Sequence, residues 1–278
     1  MIIKRYNFGP CIIEARLPFD VKDTLPFSEF KTDGRAETVY LYDYSFTDKI
    51  EAPPGLPAFE TASGEVYLNG HECVVYYKKR SGGFYAVRTD FENKRGGRVE
   101  FLNEYARLLW DKNILDTVGC EKIAYDNGIL IMHASFISFN GYAVLFTAPK
   151  QTGKSTQARL WNEYRNAEII NGDKALVYIK DGEVFASGLP YCGSSHICKN
   201  ASFPVKCIVR LGQGENTIKR LDRFSSVREV IMGSYLPCGA EKILTAVEYI
   251  CNKVPVYEFK CSPDLSAVEV LEKTIWSI

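Results

Sequence analysis

Apolar and polar residues alternate in short runs from Met1 to about Asp90, and glycines and prolines punctuate the runs. Residues 11–15, 38–42, 66–68, 73–77 and 84–87 carry the period of two that turns one face of a strand towards a core. Ser81, Gly82 and Gly83 lie between the last two runs and predict a hairpin turn, and Pro53, Pro54, Gly55 and Pro57 mark a loop. Lys78, Lys79 and Arg80 then read as a solvated hairpin tip. Over residues 103–116 the spacing changes: Tyr105, Leu108, Leu109 and Leu115 recur near helical period and predict a connecting helix. Asp126, Asn127 and Gly128 break the chain, so the expected division is a β-rich part over residues 1–126 and a second domain over 127–278.

The second part mixes both periods. Residues 129–139 and 142–146 are strand-like and are separated only by Asn140 and Gly141, the pair that a two-residue type I′ turn prefers. Such a turn sets residue 139 opposite 142, and continuing the ladder brings His133 opposite Ala148. Ala158, Leu160, Trp161 and Tyr164 sit at helical offsets over residues 154–164. A short strand over 168–170 stops at Asn171, Gly172 and Asp173, and a hairpin joins 177–179 to 184–186 through Asp181 and Gly182. Residues 207–211 predict a strand with 218–221 as its partner across Gly212 to Gly214. Ser225 or Ser226 can cap a helix running to about Tyr235, and Ile243, Val247, Ile250 and Val254 stripe a helix over 240–254. A strand over 256–259 and a last helix opened by Ser262 and Pro263 complete the alternation, which predicts a mixed α/β fold.

Candidate chemistry concentrates in residues 142–161, YAVLFTAPKQTGKSTQARLW: a strand, a loop ending in Thr152, Gly153, Lys154, Ser155 and Thr156, then a helix. A loop of that kind aims backbone N–H groups at phosphate oxygens, and the helix adds the positive end of its dipole. Lys154 would reach the outer phosphates and the Ser155 hydroxyl would hold Mg2+. The strict pattern G-x-x-x-x-G-K-S/T is not met, because Ala148 stands at its first glycine and Pro149 removes one N–H donor. Asp173, just past the following strand, is placed to bear on the metal or the attacking group, or it is a turn residue. His133 is either a proton-handling group beside the loop or a satisfied core histidine.

Composition narrows the classes. Thirty-four basic and 34 acidic residues cancel in a chain of 278, so no global field draws nucleic acid or an anionic membrane, and neither is an expected partner. The nine cysteines form no C-x-x-C pair and read as reduced thiols; Cys192, His196 and Cys198 lack a second ligand pair at zinc-finger spacing. The opening MIIKRYNFGPCIIEARLPFD carries no apolar core followed by a cleavage site, and no segment approaches the roughly 18 apolar residues of a membrane span, so a cytoplasmic location is expected.

The order HAS (His133 to Ser135), LFTAPKQTGKSTQARLW, INGDK (Ile170 to Lys174) and GLPYCGS (Gly188 to Ser194) resembles the HPr kinase/phosphorylase group and its relative, ATP-dependent phosphoenolpyruvate carboxykinase. It looks most like the HPr-kinase-like proteins encoded beside peptide biosynthesis genes, some of which phosphorylate a peptide serine. The resemblance covers about residues 129–211. It implies a β-rich N-terminal part, suited to substrate recognition, followed by a P-loop kinase-like domain. It further implies ATP on Ala148, Pro149, Lys150, Gln151, Thr152, Gly153, Lys154, Ser155 and Thr156, Mg2+ on Ser155 and Asp173, and Asp173 and His133 as the catalytic pair. Where the family has two adjacent aspartates, Gly172 and Lys174 flank Asp173 here, and Ala148, Lys150 and Gln151 replace Gly, Ser and Gly. The expected activity is ATP- and Mg-dependent transfer to a Ser or Thr hydroxyl of a peptide or protein, with room for a homo-oligomer. The alternatives are a nucleotide-binding module without transfer, which Lys150 and Gln151 favour, and a kinase of a small-molecule hydroxyl. A carboxykinase would need an Arg and Lys cluster and a second metal site, neither of which stands out.

Overall fold

In the computed structural model of the chain, which describes every residue except 62, 71, 93, 150, 151, 192, 236–240, 277 and 278, the alternating start becomes one eight-stranded sheet. Its strands are β1 (Ile2–Phe8), β2 (Cys11–Leu17), β3 (Thr38–Thr47), β4 (Phe59–Glu60), β5 (Gly64–Asn69), β6 (Glu72–Lys78), β7 (Phe84–Phe91) and β8 (Gly96–Leu102). They lie in the order β1-β2-β3-β8-β7-β6-β5-β4. Alternation buries Tyr40, Tyr42 and Tyr44 of β3 with Val99 and Phe101 of β8. Lys78 pairs with Glu60 and Glu65, and Lys79 with Glu104, at the β6–β7 hairpin. The helix expected over 103–116 divides into a 3-10 turn (Asn103–Leu108) and α1 (Asp111–Thr117), because Leu109 is extended and turns inward. These elements belong to a compact unit spanning Met1–Cys120, and a second unit spans Glu121–Ile278.

The remaining elements are α2 (Cys120–Asp126), β9 (Leu130–Met132), β10 (Ala134–Phe139), β11 (Tyr142–Thr147), α3 (Lys154–Arg165), β12 (Glu168–Asn171), β13 (Ala175–Lys180), β14 (Glu183–Ser187), β15 (Ser202–Gln213), β16 (Thr217–Arg220), α4 (Arg223–Met232), β17 (Ser234–Tyr235), α5 (Glu241–Lys253), β18 (Val256–Cys261) and α6 (Leu265–Trp276). Strands run β12-β10-β11-β15-β14-β13-β9-β17, with β18 beside β15 and β16 outside β18. The fold is mixed α/β: β11, β15 and β18 are parallel, and most other pairs are antiparallel. Asn140 and Gly141 both take positive φ, 51° and 77°, as a type I′ turn requires, and the β10–β11 ladder runs from Phe139↔Tyr142 to Ala134↔Thr147 in the register that turn dictates.

Strand alternation on β11 serves two cores. Val144 and Phe146 pack towards Trp161 of α3 and Val268 and Leu271 of α6, whereas Ala143 and Leu145 pack towards Val230 of α4 and Val247 and Ile250 of α5. Layers on both faces of a largely buried sheet hold the C-terminal ends of β11, β15 and β18 in register.

Four expectations are corrected. The run 129–139 is two strands broken at His133, because β9 pairs with β13 and β17 while β10 pairs with β11 and β12. β16 pairs with β18 rather than β15, because β18 lies beside residues 208–213 of β15 and β11 holds the other edge. The α4 cap is Asp222, whose carboxylate accepts from the Ser225 N–H at 2.9 Å, and the helix ends before Gly233. Asp264, not Ser262, holds the first turn of α6 by accepting from the Ser266 N–H at 2.9 Å. Among the described residues, no helix is long and apolar enough to cross a membrane.

Candidate active site

β11 ends at Thr147 and α3 begins at Lys154, so six residues separate a buried strand from a helix N-terminus. Gly153 precedes the helix at φ 112°, a conformation closed to ordinary side chains, and as the N-cap it makes no side-chain cap bond. Among the described residues, no side chain is seen to accept from the leading N–H groups of α3. Lys154 is buried, and its Nζ donates to the Ala148 carbonyl oxygen at 2.9 Å, closing the loop on itself. Burial lowers the Lys154 pKa, and the Asp173 charge opposes that shift. Pro149 is exposed; Lys150 and Gln151 lie outside the described residues.

His133 occupies the joint between β9 and β10. Its N–H donates to the Gly233 carbonyl oxygen at 2.7 Å, and its Nε2 stands 3.2 Å from Asp173 Oδ1. Burial lowers the His133 pKa below its ordinary value, the Lys154 charge lowers it further, and Asp173 pulls the other way. The lowering favours the neutral imidazole, which can donate to the carboxylate from the nitrogen that faces it.

Asp173 is positioned by Asn171, which is fully buried at the end of β12. The Asn171 Oδ1 accepts from the N–H groups of Asp173 and Lys174, both at 2.9 Å, and its Nδ2 donates to the carbonyls of Leu189 at 2.9 Å and Tyr191 at 3.2 Å. One amide thus fixes the Asp173 turn and the loop that follows β14. That loop bends back through a 3-10 turn (Gly193–Ser195), where Gly193 has φ 55° and a Cβ would come within 2.8 Å of Asp173 Cγ.

A cavity of about 820 Å³ joins these parts. Thr152, Gly153, Lys154, Ser155, Thr156 and Gln157 form one wall, and His133, Gly172, Asp173 and Ser195 another. The third is built from Gln213 and Gly214 after β15 and from Cys261, Ser262 and Pro263 after β18. Ligand crevices of open α/β sheets form at such C-terminal strand ends. Of the expected site residues, His133, Asp173 and Thr152 to Thr156 share this cavity, whereas Ala148 lies behind it as the acceptor for Lys154.

No family model and no curated protein matches the sequence. Among solved structures, the HPr(Ser) kinase/phosphatase from Coxiella burnetii aligns with 52% of this chain and 92% of its own, at 13% identity and a TM-score of 0.30.

Several cavity residues carry no signal in the sequence. Gln157 donates to Cys261 Sγ at 3.2 Å and to the Ser262 carbonyl at 3.4 Å, linking the phosphate-loop helix to the third wall. That wall depends on β15 and β18 running parallel, which neither strand's own pattern encodes. Ser195 lies just past GLPYCGS, the stretch over residues 188–194 that carries part of the resemblance. The carboxylate and hydroxyl of Asp173 and Ser155 are hard oxygen donors on one cavity, a set that fits a Mg2+ ion retaining water and phosphate ligands. In the Cys192, His196 and Cys198 group, Cys192 lies outside the described residues, His196 is exposed and Cys198 is buried; among the described residues no His, Cys, Asp and Glu cluster of three could hold a metal.

Proposed function

We propose that the second unit binds Mg2+–ATP and transfers the γ-phosphoryl group to a Ser or Thr hydroxyl of a peptide or protein. The observation that carries this reading is the His133–Asp173 pair, 3.2 Å apart, sharing a cavity with Lys154 and the uncapped start of α3. Phosphates would lie on the N–H groups of Thr152 to Thr156, and Lys154 would exchange its bond to Ala148 for one to a phosphate oxygen. The acceptor oxygen bonds to the γ-phosphorus as the bond to the β,γ-bridging oxygen breaks, and ADP leaves. Asp173 takes the hydroxyl proton while the neutral His133 donates to the carboxylate and fixes its direction. Ser155 and Asp173 would hold Mg2+, which neutralises charge on the β- and γ-oxygens when bound.

Asp173→Asn tests this directly. It should keep nucleotide affinity within a few-fold while abolishing phosphoryl transfer, measured by ADP release and label incorporation; unchanged turnover would remove Asp173 from the mechanism. Lys154→Ala should weaken ATP binding by roughly 10- to 100-fold, the cost of about 1.5–3 kcal/mol for a charged hydrogen bond. ATP binding as tight as in the parent would refute the loop assignment. A nucleotide-binding module without transfer is the second reading, favoured by the Lys154–Ala148 bond that ATP has to break; it predicts ATP binding with no ADP release.

A further inference from the structure

Lys174 follows Asp173, yet its side chain leaves the cavity. Its Nζ stands 5.2 Å from the Tyr235 ring centre and 5.6 Å from that of Tyr191. The Tyr235 ring is in turn 6.4 Å from the His133 ring, and Tyr235 is 48% exposed. Comparable lysines find carboxylates: Lys78 reaches Glu60 at 2.8 Å, Lys79 reaches Glu104 at 2.6 Å and Lys199 reaches Glu168 at 2.7 Å. Among the described residues no carboxylate pairs with Lys174, and aromatic faces hold an ammonium without cancelling its charge. Its backbone N–H is fixed by Asn171, so the cation has a defined place beside the His133–Asp173 pair.

The division of labour follows from position. Lys154 lies in the cavity wall with the uncapped helix start, where the donor phosphates belong, and Lys174 lies outside that wall. Tyr235 and Lys174 stand beside the His133–Asp173 pair but outside the cavity lining. We infer that Lys174, steadied by Tyr191 and Tyr235, selects an acceptor peptide bearing an acidic side chain close to the hydroxyl that is phosphorylated. The inference rests on the transfer reading above and adds its substrate class.

The test is an array of short acetylated and amidated peptides with a central Ser, each flanking position set in turn to Asp, Asn or Lys. The array is read twice: by label transfer from ATP, and by retention of fluorescent protein in the presence of Mg2+ and ADP. The parent should favour one or more Asp-flanked peptides over their Asn counterparts by about fivefold, the effect of a single solvent-accessible charge pair. Lys174→Glu should move that preference to Lys-flanked peptides without changing the KM for ATP, and Lys174→Gln should erase it. Tyr235→Phe should preserve it. Transfer without an Asp preference, or a preference untouched by Lys174→Glu, overturns the inference and leaves transfer standing. Asp-dependent retention without any transfer upholds the acidic subsite and refutes the kinase reading. If the array shows no transfer and no Asp-dependent retention, the inference is overturned.

Discussion

Gly193→Ala is the sharpest probe of the His133–Asp173 pair, because it touches the carboxylate from outside the reaction. Two effects separate. The first is backbone: at φ 55° an alanine costs about 1 kcal/mol relative to glycine. The second is contact: the new Cβ would lie 2.8 Å from Asp173 Cγ, whereas ordinary contact begins at 3.4 Å, so the carboxyl group has to move by about 0.6 Å. A misplacement of about 1 Å costs up to a hundredfold, so roughly tenfold in kcat is expected for this one. Gly141→Ala supplies the control, since that residue has φ 77° with nothing within 4 Å of its Cβ. Urea unfolding should show both variants less stable by about 1 kcal/mol. Only Gly193→Ala should slow label transfer and alter the His133 titration followed by NMR, because a displaced carboxylate loses the alignment of its 3.2 Å contact. If the two variants gave the same turnover and the same His133 titration, the 3-10 turn would have no hold on Asp173.

Asn171→Ala removes a buried amide that makes four hydrogen bonds, and should cost about 2–4 kcal/mol of stability by denaturant titration. Asn171→Asp should be no better, since it turns an acceptor towards the carbonyls of Leu189 and Tyr191; a stability near the parent's would show that the Nδ2 bonds contribute little. The depressed pKa of His133 sets a pH dependence with a definite sign. The unfolded chain protonates at about 6.5 while the folded histidine protonates lower. Its stabilising contribution is therefore present above about pH 6.5 and is lost as pH falls through the window down to the folded value. Transfer should fall over the same range, because an imidazolium against Asp173 makes the carboxylate a poorer proton acceptor. His133→Gln should remove this acid limb from both the stability curve and the rate profile; an unchanged limb would assign it to another group.

Local chemistry was legible where one short stretch decides the geometry. Asn140 with Gly141, and Asp181 with Gly182, occupy positive φ, and each sets the register of the hairpin around it. Helices α3 and α5 follow from their apolar stripes, and the cavity residues Thr152 to Thr156 from the strand, loop and helix order. Pairing between distant segments was not legible. Residues 207–211 and 218–221 look like a hairpin, but β18 intervenes, and a parallel neighbour 48 residues away leaves no mark on either strand's period. The same fact hides the third cavity wall. Residue pairs such as Lys174 with Tyr235 depend on β17 returning to β9, which two residues of strand cannot announce.

The break at His133 shows how a local rule and a distant contact combine to make a site. The turn at Asn140 and Gly141 carries the β10–β11 ladder back to Ala134 and Thr147, and one more step would pair His133 with Ala148 as ordinary strand residues. That step is not taken. Gly233, at the end of α4, offers its carbonyl to the His133 N–H, and the Ala148 carbonyl goes to Lys154 instead. Each of the two positions that the register brings together is thus released from the ladder by a partner elsewhere. His133 is left to face Asp173, and Ala148 to hold the lysine of the loop. A continuous strand over 129–139 would have satisfied both backbones and offered no such joint. The ladder stops one step short of His133 and Ala148, and both turn to partners outside it.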